Sequence, residues 1–270
     1  GDMSQSVEMS KEEALPAAFH DFFLPLHHAF EPRRRILLDA RRQALIDARA
    51  GRMPGYLAQS DATQTEWRLS LPSWAQDQRN QITGPADNAK LLVAMCNTDD
   101  PGCMPDGEDS ITTDWKHVRA AQRNTIAAAF GTLTYTDPSG KTTKIKPSRQ
   151  VMFYRPRGLL LDEMNALPVG VTSGSLFDLA IVFFETAELR RRSVLNPELS
   201  AKLCFYIPKS ESFEEAAWYS DLFAAMETAI GPPIGTTKIM FLIESLPAAY
   251  QVEELLYAAR RHVIGLNLGR

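Results

Sequence analysis

The sequence predicts an α/β fold built on a parallel sheet, and three observations predict it. From Ile82 onward, short apolar runs alternate with amphipathic helical stretches. Each strand-plus-helix unit takes about 30 to 50 residues, the room a helical crossover needs between parallel neighbours. The run Ile239-Met240-Phe241-Leu242-Ile243 is continuously apolar, as a strand covered on both faces must be.

The elements follow in order. Residues Leu15 to Ala50 read as helical, with Phe19, Phe22, Phe23 and Leu26 as an apolar cluster. Pro32 suits a first helical turn, and the arginines that follow (Arg33, Arg34, Arg35, Arg41, Arg42) read as a solvated face. Gly51 to Ser73, with Gly51, Pro54 and Gly55, reads as a connector. Expected strands are Gln81–Thr83, a short one near Met104, Val151–Tyr154, Leu203–Ile207, Ile239–Ile243 and Val263–Leu268. Between them lie helices opening near Asp114, at Ser175 (with Asp178 as a capping box), at Ser212 (with Glu215) and over Ala248–Arg261. Leu133–Thr136, Asp137-Pro138-Ser139-Gly140 and Lys141–Ile145 read as an inserted β-hairpin, near 132–146.

Composition narrows the function. With 44% hydrophobic and 23% charged residues, the chain is neither disordered nor collagen-like. Its 29 basic against 33 acidic residues leave a net charge of −4, which argues against a nonspecific nucleic-acid binder. No run approaches the roughly 20 apolar residues that span a bilayer. Gly1 to Glu13 lack the apolar centre of a signal peptide, and the first of these residues read as an expression scar. Cys96, Cys103 and Cys204 match no zinc spacing, so a reduced, cytoplasmic setting is expected. The expected partners are small-molecule substrates, with neither nucleic acid nor membrane, and a homo-oligomer is allowed.

The chemistry is read at the strand ends. Successive strands run into Asp106-Gly107-Glu108-Asp109, Arg155-Pro156-Arg157-Gly158, Pro208-Lys209-Ser210-Glu211 and Glu244, and the last carries Asn267 and Arg270. In a barrel of parallel strands these positions share the C-terminal rim, where active sites assemble. Carboxylates from separate strands suit a hard divalent cation such as Mg2+. Arg155 offers a fork for a carboxylate or a developing oxyanion. His20, His27, His28, His117 and His262 are all expected on helices, so a serine–histidine triad has no support.

At these residues the sequence resembles the malate synthases of the shorter bacterial and plant type. The matching runs, in order, are Phe30-Glu31-Pro32-Arg33-Arg34, Ile82-Thr83-Gly84-Pro85, Asp106 to Ser110 and Arg155 to Gly158. They continue with Ser173 to Asp178, Tyr206 to Ser212, Leu242 to Ser245 and His262 to Arg270. The resemblance implies a (β/α)8 barrel of the TIM type, incomplete in this chain. Residues 1–75 would be an N-terminal helical clasp and connector and residues 76–270 the barrel portion. It implies condensation of acetyl-CoA with glyoxylate, then thioester hydrolysis to malate and CoA. Arg155 matches the arginine that holds glyoxylate and the enolate oxygen, and Glu244 the first Mg2+ ligand. Asp106 and Glu108 match acids around the metal, acting through water or hydrogen bonds. Lys209, Glu211 and Arg270 are further candidates for holding substrate or supporting that machinery.

The family motif continues past Gly269-Arg270 with a second metal-binding aspartate, so the resemblance implies either that these residues are a fragment of a longer protein, the favoured reading, or that a partner chain completes the site. Gly107 stands where the family usually has an aromatic residue, and Leu159-Leu160 replaces a Trp-His pair, altering the wall expected to face substrate. Two alternatives stand beside the synthase. One is a citrate-lyase or malyl-CoA-lyase type of carbon–carbon cleavage, and the other a degenerate, non-catalytic barrel.

Overall fold

The computed structural model describes residues 14–168 and 170–269. It opens with α1 (Phe19–Arg49), a continuous helix of 31 residues with Pro25 and Pro32 inside it. Pro32 therefore starts no new helix. Each proline forfeits one backbone hydrogen bond. The buried face of Phe19, Phe23, Leu26 and Phe30, packed on aromatic partners such as Phe177 and Trp218, offsets that loss. The connector holds one turn of helix, α2 (Asp61–Gln64).

Next come β1 (Gln81–Pro85), α3 (Ala89–Cys96), β2 (Gly102–Asp106) and α4 (Trp115–Ala129). Helix α3 was not anticipated, although Asn88 caps it through Leu91 N and Leu92, Val93, Met95 and Cys96 form its buried face. The hairpin β3 (Thr134–Thr136) and β4 (Thr142–Lys144) is antiparallel, as expected. After β5 (Val151–Tyr154), a small ribbon of β6 (Asp162–Glu163) and β7 (Thr172–Ser173) leads into α5 (Gly174–Glu185) and α6 (Ala187–Ser193). Then follow β8 (Cys204–Ile207), α7 (Phe213–Ile230), β9 (Ile239–Ile243), α8 (Leu246–Ala249), α9 (Val252–Ala258) and β10 (Val263–Leu268).

Two expected caps shift. Ser173, not Ser175, caps α5 through Leu176 N, and Asp178 is wholly buried inside the helix. Ser212 does cap α7 through Glu215 N, but the Glu215 carboxylate turns to Arg41. The single helix expected over Ala248–Arg261 is two, broken where Gln251 leaves helical geometry and accepts from Phe213 N at 2.8 Å. His262 lies in the turn before β10, not on a helix.

The six-stranded sheet has the order β1-β2-β5-β8-β9-β10, and every pairing is parallel. Each new strand joins beside its predecessor in sequence, the progression that builds a barrel wall. Alternation sorts the strands into two cores. Cys103, Met152, Tyr154, Phe205, Ile207, Phe241 and Ile243 face the helices. Met104, Phe153, Cys204, Tyr206, Met240, Leu242 and Ile264 face inward, closed over by Leu71, Trp74 and Ala75. Strands buried on both faces must be apolar throughout, which is why the sequence showed runs and not alternation. Each fully buried large apolar side chain contributes about 1.5–3 kcal/mol relative to exposure.

Candidate active site at the strand tips

The two-residue period of a strand places the candidate residues. Asp106 stands two beyond Met104, Arg155 two beyond Phe153, and Glu244 two beyond Leu242. Each therefore continues the inward face at the C-terminal tip of its strand. The three positions meet around the inward ring of Tyr206, which lies 6.0 Å below the Arg155 guanidinium and accepts from Asn267 Nδ2 at 2.9 Å.

Arg155 and Asp106 form a two-pronged pair. Nε donates to Oδ1 and Nη2 to Oδ2, both at 2.7 Å. Asp106 also accepts from Glu108 N, Ser110 N and Ser110 Oγ. Burial alone would raise the Asp106 pKa, but the Arg155 and Ser110 hydrogen bonds outweigh it and hold the carboxyl below its ordinary range. Burial would lower the Arg155 pKa, and the bonds to Asp106 overcome this and raise it. The pair fixes one edge of the guanidinium, while Nη1 has Asp109 no closer than 3.9 Å. A charged fork held this way needs no reorganisation when an oxyanion forms beside it.

Lys209 ties the other acids together. Its ammonium donates to Glu108 Oε1 at 2.8 Å and Asp109 Oδ1 at 2.6 Å, and its backbone N–H donates to Glu244 Oε1 at 2.9 Å. Its φ of 54° is the left-handed region, which costs a non-glycine residue on the order of 1–3 kcal/mol. Burial raises the Glu108 pKa, with Lys209 pulling against it. Glu108 Oε2 is buried with no hydrogen-bond partner, Arg155 Nε standing 3.7 Å away.

Five of the candidates thus come together: Asp106, Glu108, Arg155, Lys209 and Glu244. Glu211 does not join them. It points to Arg41 at 3.9 Å, and burial raises its pKa. Arg270 lies outside the described residues. Tyr206 and Asp109 belong to the cluster and were not singled out, although their positions at a strand end beside Arg155 and Glu108 were the available signal.

The neighbouring arginine of the same run serves structure. Arg157 is buried and donates to Asp178 through N, Nε and Nη2 and to Glu163 through Nη2, all at 3.0 Å. Gly174 lets the guanidinium lie close, since a Cβ would stand 3.1 Å from its central carbon and press on it. Nor do the α1 arginines simply face water. Arg34 is buried against Glu31 and the carbonyls of Leu159, Leu160 and Leu161, while Arg35 and Arg42 are exposed. Leu159 packs in the helix-side core and so redraws no wall facing the rim, and Leu160 points to solvent. A Cβ on Gly107 would meet the Tyr154 hydroxyl at 2.7 Å and Arg155 O at 2.8 Å, so the tyrosine occupies the space an aromatic at 107 would need.

The rim collects four acids (Asp106, Glu108, Asp109, Glu244) against two bases (Arg155, Lys209). That excess of oxygen donors is the chemistry a hard divalent cation takes. Among the described residues, no three His, Cys, Asp or Glu side chains are grouped closely enough to cage one. Among the same residues no helix is long and apolar enough to cross a membrane, and all three cysteines are free and buried.

A parallel α/β wall with an arginine and acids converging on its C-terminal rim defines a barrel of the TIM class with a rim-type site. The model of the malate synthase TIM barrel domain matches residues 151–270, and that of the malate synthase N-terminal domain matches residues 4–57. The chain is 36% identical over 263 residues to malate synthase A of Escherichia coli (strain K12), covering 96% of this chain and 48% of that protein. It is 35% identical over 264 residues to malate synthase of Myxococcus xanthus (strain DK1622), covering 96% and 47%. It is also 33% identical over 257 residues to glyoxysomal malate synthase of Candida tropicalis, covering 92% and 45%. The chain belongs to the malate synthase family. It spans about half the length of the curated relatives it matches.

Proposed function

We propose that this chain supplies the arginine half of a malate synthase active site, where acetyl-CoA condenses with glyoxylate. The observation that carries the reading is the Arg155–Asp106 pair, which orients a guanidinium edge over the inward ring of Tyr206. In the reaction the acetyl methyl loses a proton, and the carbanion carbon bonds to the aldehyde carbon of glyoxylate. The aldehyde oxygen takes up a proton, and water then cleaves the thioester to a carboxylate and the CoA thiol. Arg155 would hold the glyoxylate carboxylate and the enolate oxygen, lowering the cost of the charge that develops there. Asp106 keeps Arg155 aimed, and Lys209 keeps Glu108 and Glu244 in place. Mg2+, held by Glu244 with water and substrate oxygens, would polarise the aldehyde when bound. Glu108 Oε2, buried without a donor, suits a water of such an ion.

The lyase alternative loses the argument drawn from Leu159-Leu160, because Leu159 lies in the core. The division near residue 75 into clasp and barrel, a cytoplasmic setting and self-association are further parts of this reading. Glyoxysomal relatives such as that of Candida tropicalis make the compartment a point to test by localisation. The deciding assay supplies acetyl-CoA and glyoxylate to the protein at its natural full length and follows free thiol. Thiol release that requires glyoxylate is the expected result, and its absence would end the proposal.

A further inference from the structure

Four polar residues on α1 stand seven apart: His20, His27, Arg34 and Arg41. On a helix that spacing drifts by only about 20° per step, so they form one stripe. Each reaches a loop of the C-terminal rim. His20 Nε2 is 3.1 Å from Ala166 O, and His27 Nδ1 is 2.7 Å from Thr172 Oγ1. Arg34 donates to Leu159 O, Leu160 O, Leu161 O and Asp162. Arg41 Nη2 donates to Lys209 O at 2.9 Å while its fork grips Glu215 at the start of α7. The stripe thus runs along the two loops that carry Arg155 and Lys209.

The Arg41 contact falls on a particular backbone. Lys209 is the non-glycine residue with positive φ among the described residues. That unfavourable conformation aims its N–H at Glu244 and its ammonium at Glu108 and Asp109. Those bonds engage its N–H and its ammonium, and Arg41, a charged donor on α1, engages the third group, its carbonyl. We propose that Arg41 is a positioning residue for the rim, acting through Lys209 to hold Glu244, Glu108 and Asp109 in place. This rests on the synthase reading for its effect on turnover, but its effect on geometry can be measured separately.

The experiment uses the protein at its natural full length and reads amide hydrogen exchange at Lys209 alongside glyoxylate-dependent thiol release. Arg41→Ala should speed exchange of the Lys209 amide by about tenfold or more, the weight of one charge-assisted hydrogen bond. Arg33→Ala removes a different contact of α1 with α7, the Asp221 pair, and should leave that amide unchanged. In the same preparations kcat should fall about tenfold to a hundredfold in Arg41→Ala with KM for glyoxylate little moved. In a Lys209→Ala background, which keeps the carbonyl and the N–H but loses the ammonium, Arg41→Ala should lower kcat by less than it does alone, as for two residues in one chain of contacts. If Arg41→Ala does not fold, Arg41→Lys, which keeps the charge without the fork, carries the same readings. A Lys209 amide as protected as in the native protein, an equal effect of Arg33→Ala, or additive losses in the double variant would overturn the proposal. Absence of thiol release in the native protein would instead defeat the synthase reading and leave the exchange result to judge Arg41.

Discussion

At the C-terminal tips of the strands, Arg155 is hydrogen-bonded to Asp106 and Lys209 to Glu108, with 3.7 Å between Arg155 Nε and the second Glu108 oxygen. The N-terminal end of the same sheet opens into a cavity of about 820 Å3 lined by residues including Trp74, Asp99, Arg149, Gln150, Glu198 and Lys202. There Lys202 donates to Ser148 O, and the Gln150 amide donates to Thr98 Oγ1 and Asp100 O, mostly neutral contacts to backbone and hydroxyl groups. The difference teaches that room is a poor guide to chemistry in this fold. The rim has desolvated, mutually oriented charge, which is what a transition state can use. The opposite end has volume, and the hydrogen bonds of Lys202 and Gln150 there are not charge-to-charge.

The comparison breaks first, if it breaks, at the rim's foundations. Replacing Asp178 with Ala strands Arg157 as a buried, half-paired charge, and should cost about 3–5 kcal/mol in denaturant unfolding. A loss below about 1 kcal/mol would mean the buried network is not what anchors that loop. Arg155→Ala should lower glyoxylate-dependent turnover of the folded protein roughly a hundredfold to a thousandfold, alongside a stability cost of about 3–5 kcal/mol from leaving Asp106 buried without its partner. Turnover near the native rate would remove the arginine from the mechanism. Glu244→Gln should abolish Mg2+-dependent turnover, read by titrating the metal, and an unchanged titration would place the cation elsewhere.

Titration sharpens the comparison further, because the two inner acids have opposite signs. The folded pKa of Asp106 lies below its ordinary 3.8, so its stabilisation is present above that value and is lost as pH falls through the lowered one. The folded pKa of Glu108 lies above its ordinary 4.5, so its contribution is present below that value and is lost as pH rises through the raised one. Asp106→Asn should therefore cost most stability near about pH 7 and least near about pH 3, and Glu108→Gln the reverse. Unfolding curves across that range decide it, and parallel profiles for the two variants would refute the assignment. The smallest effect belongs to the other end. Arg149→Ala should change stability by no more than about 0.5 kcal/mol and leave turnover alone, and a large loss there would move the site.

Much of the sheet was legible because its strands carry their own signal. A run such as Val151–Tyr154 has to be apolar on both faces, and its length is set by the polar residues that end it. The rim was legible for the same reason, since Asp106, Arg155 and Glu244 follow directly on those runs. Helix α3 was missed because eight residues hold too few turns for a clear period, and its strongest mark is the single cap Asn88. The roles of Ser175, Asp178 and Arg34 were misread because a local pattern cannot tell a capping or solvated polar residue from one buried by a partner far along the chain. Arg34, for example, finds its carbonyls more than a hundred positions away.

By itself the sequence determined the order of the sheet's strands, the apolar character of each and which charged residues end it, since all of these follow from the period of the local backbone. Tertiary structure alone decided which charges meet: that Arg155 takes Asp106 while Arg157 takes Asp178, that Lys209 bends into a left-handed turn to reach Glu244, and that Glu211 turns away to Arg41. Hydrogen bonds and ion pairs act over about 3 Å, and only packing α1 and the helices against the sheet brings residues this distant in sequence to that range.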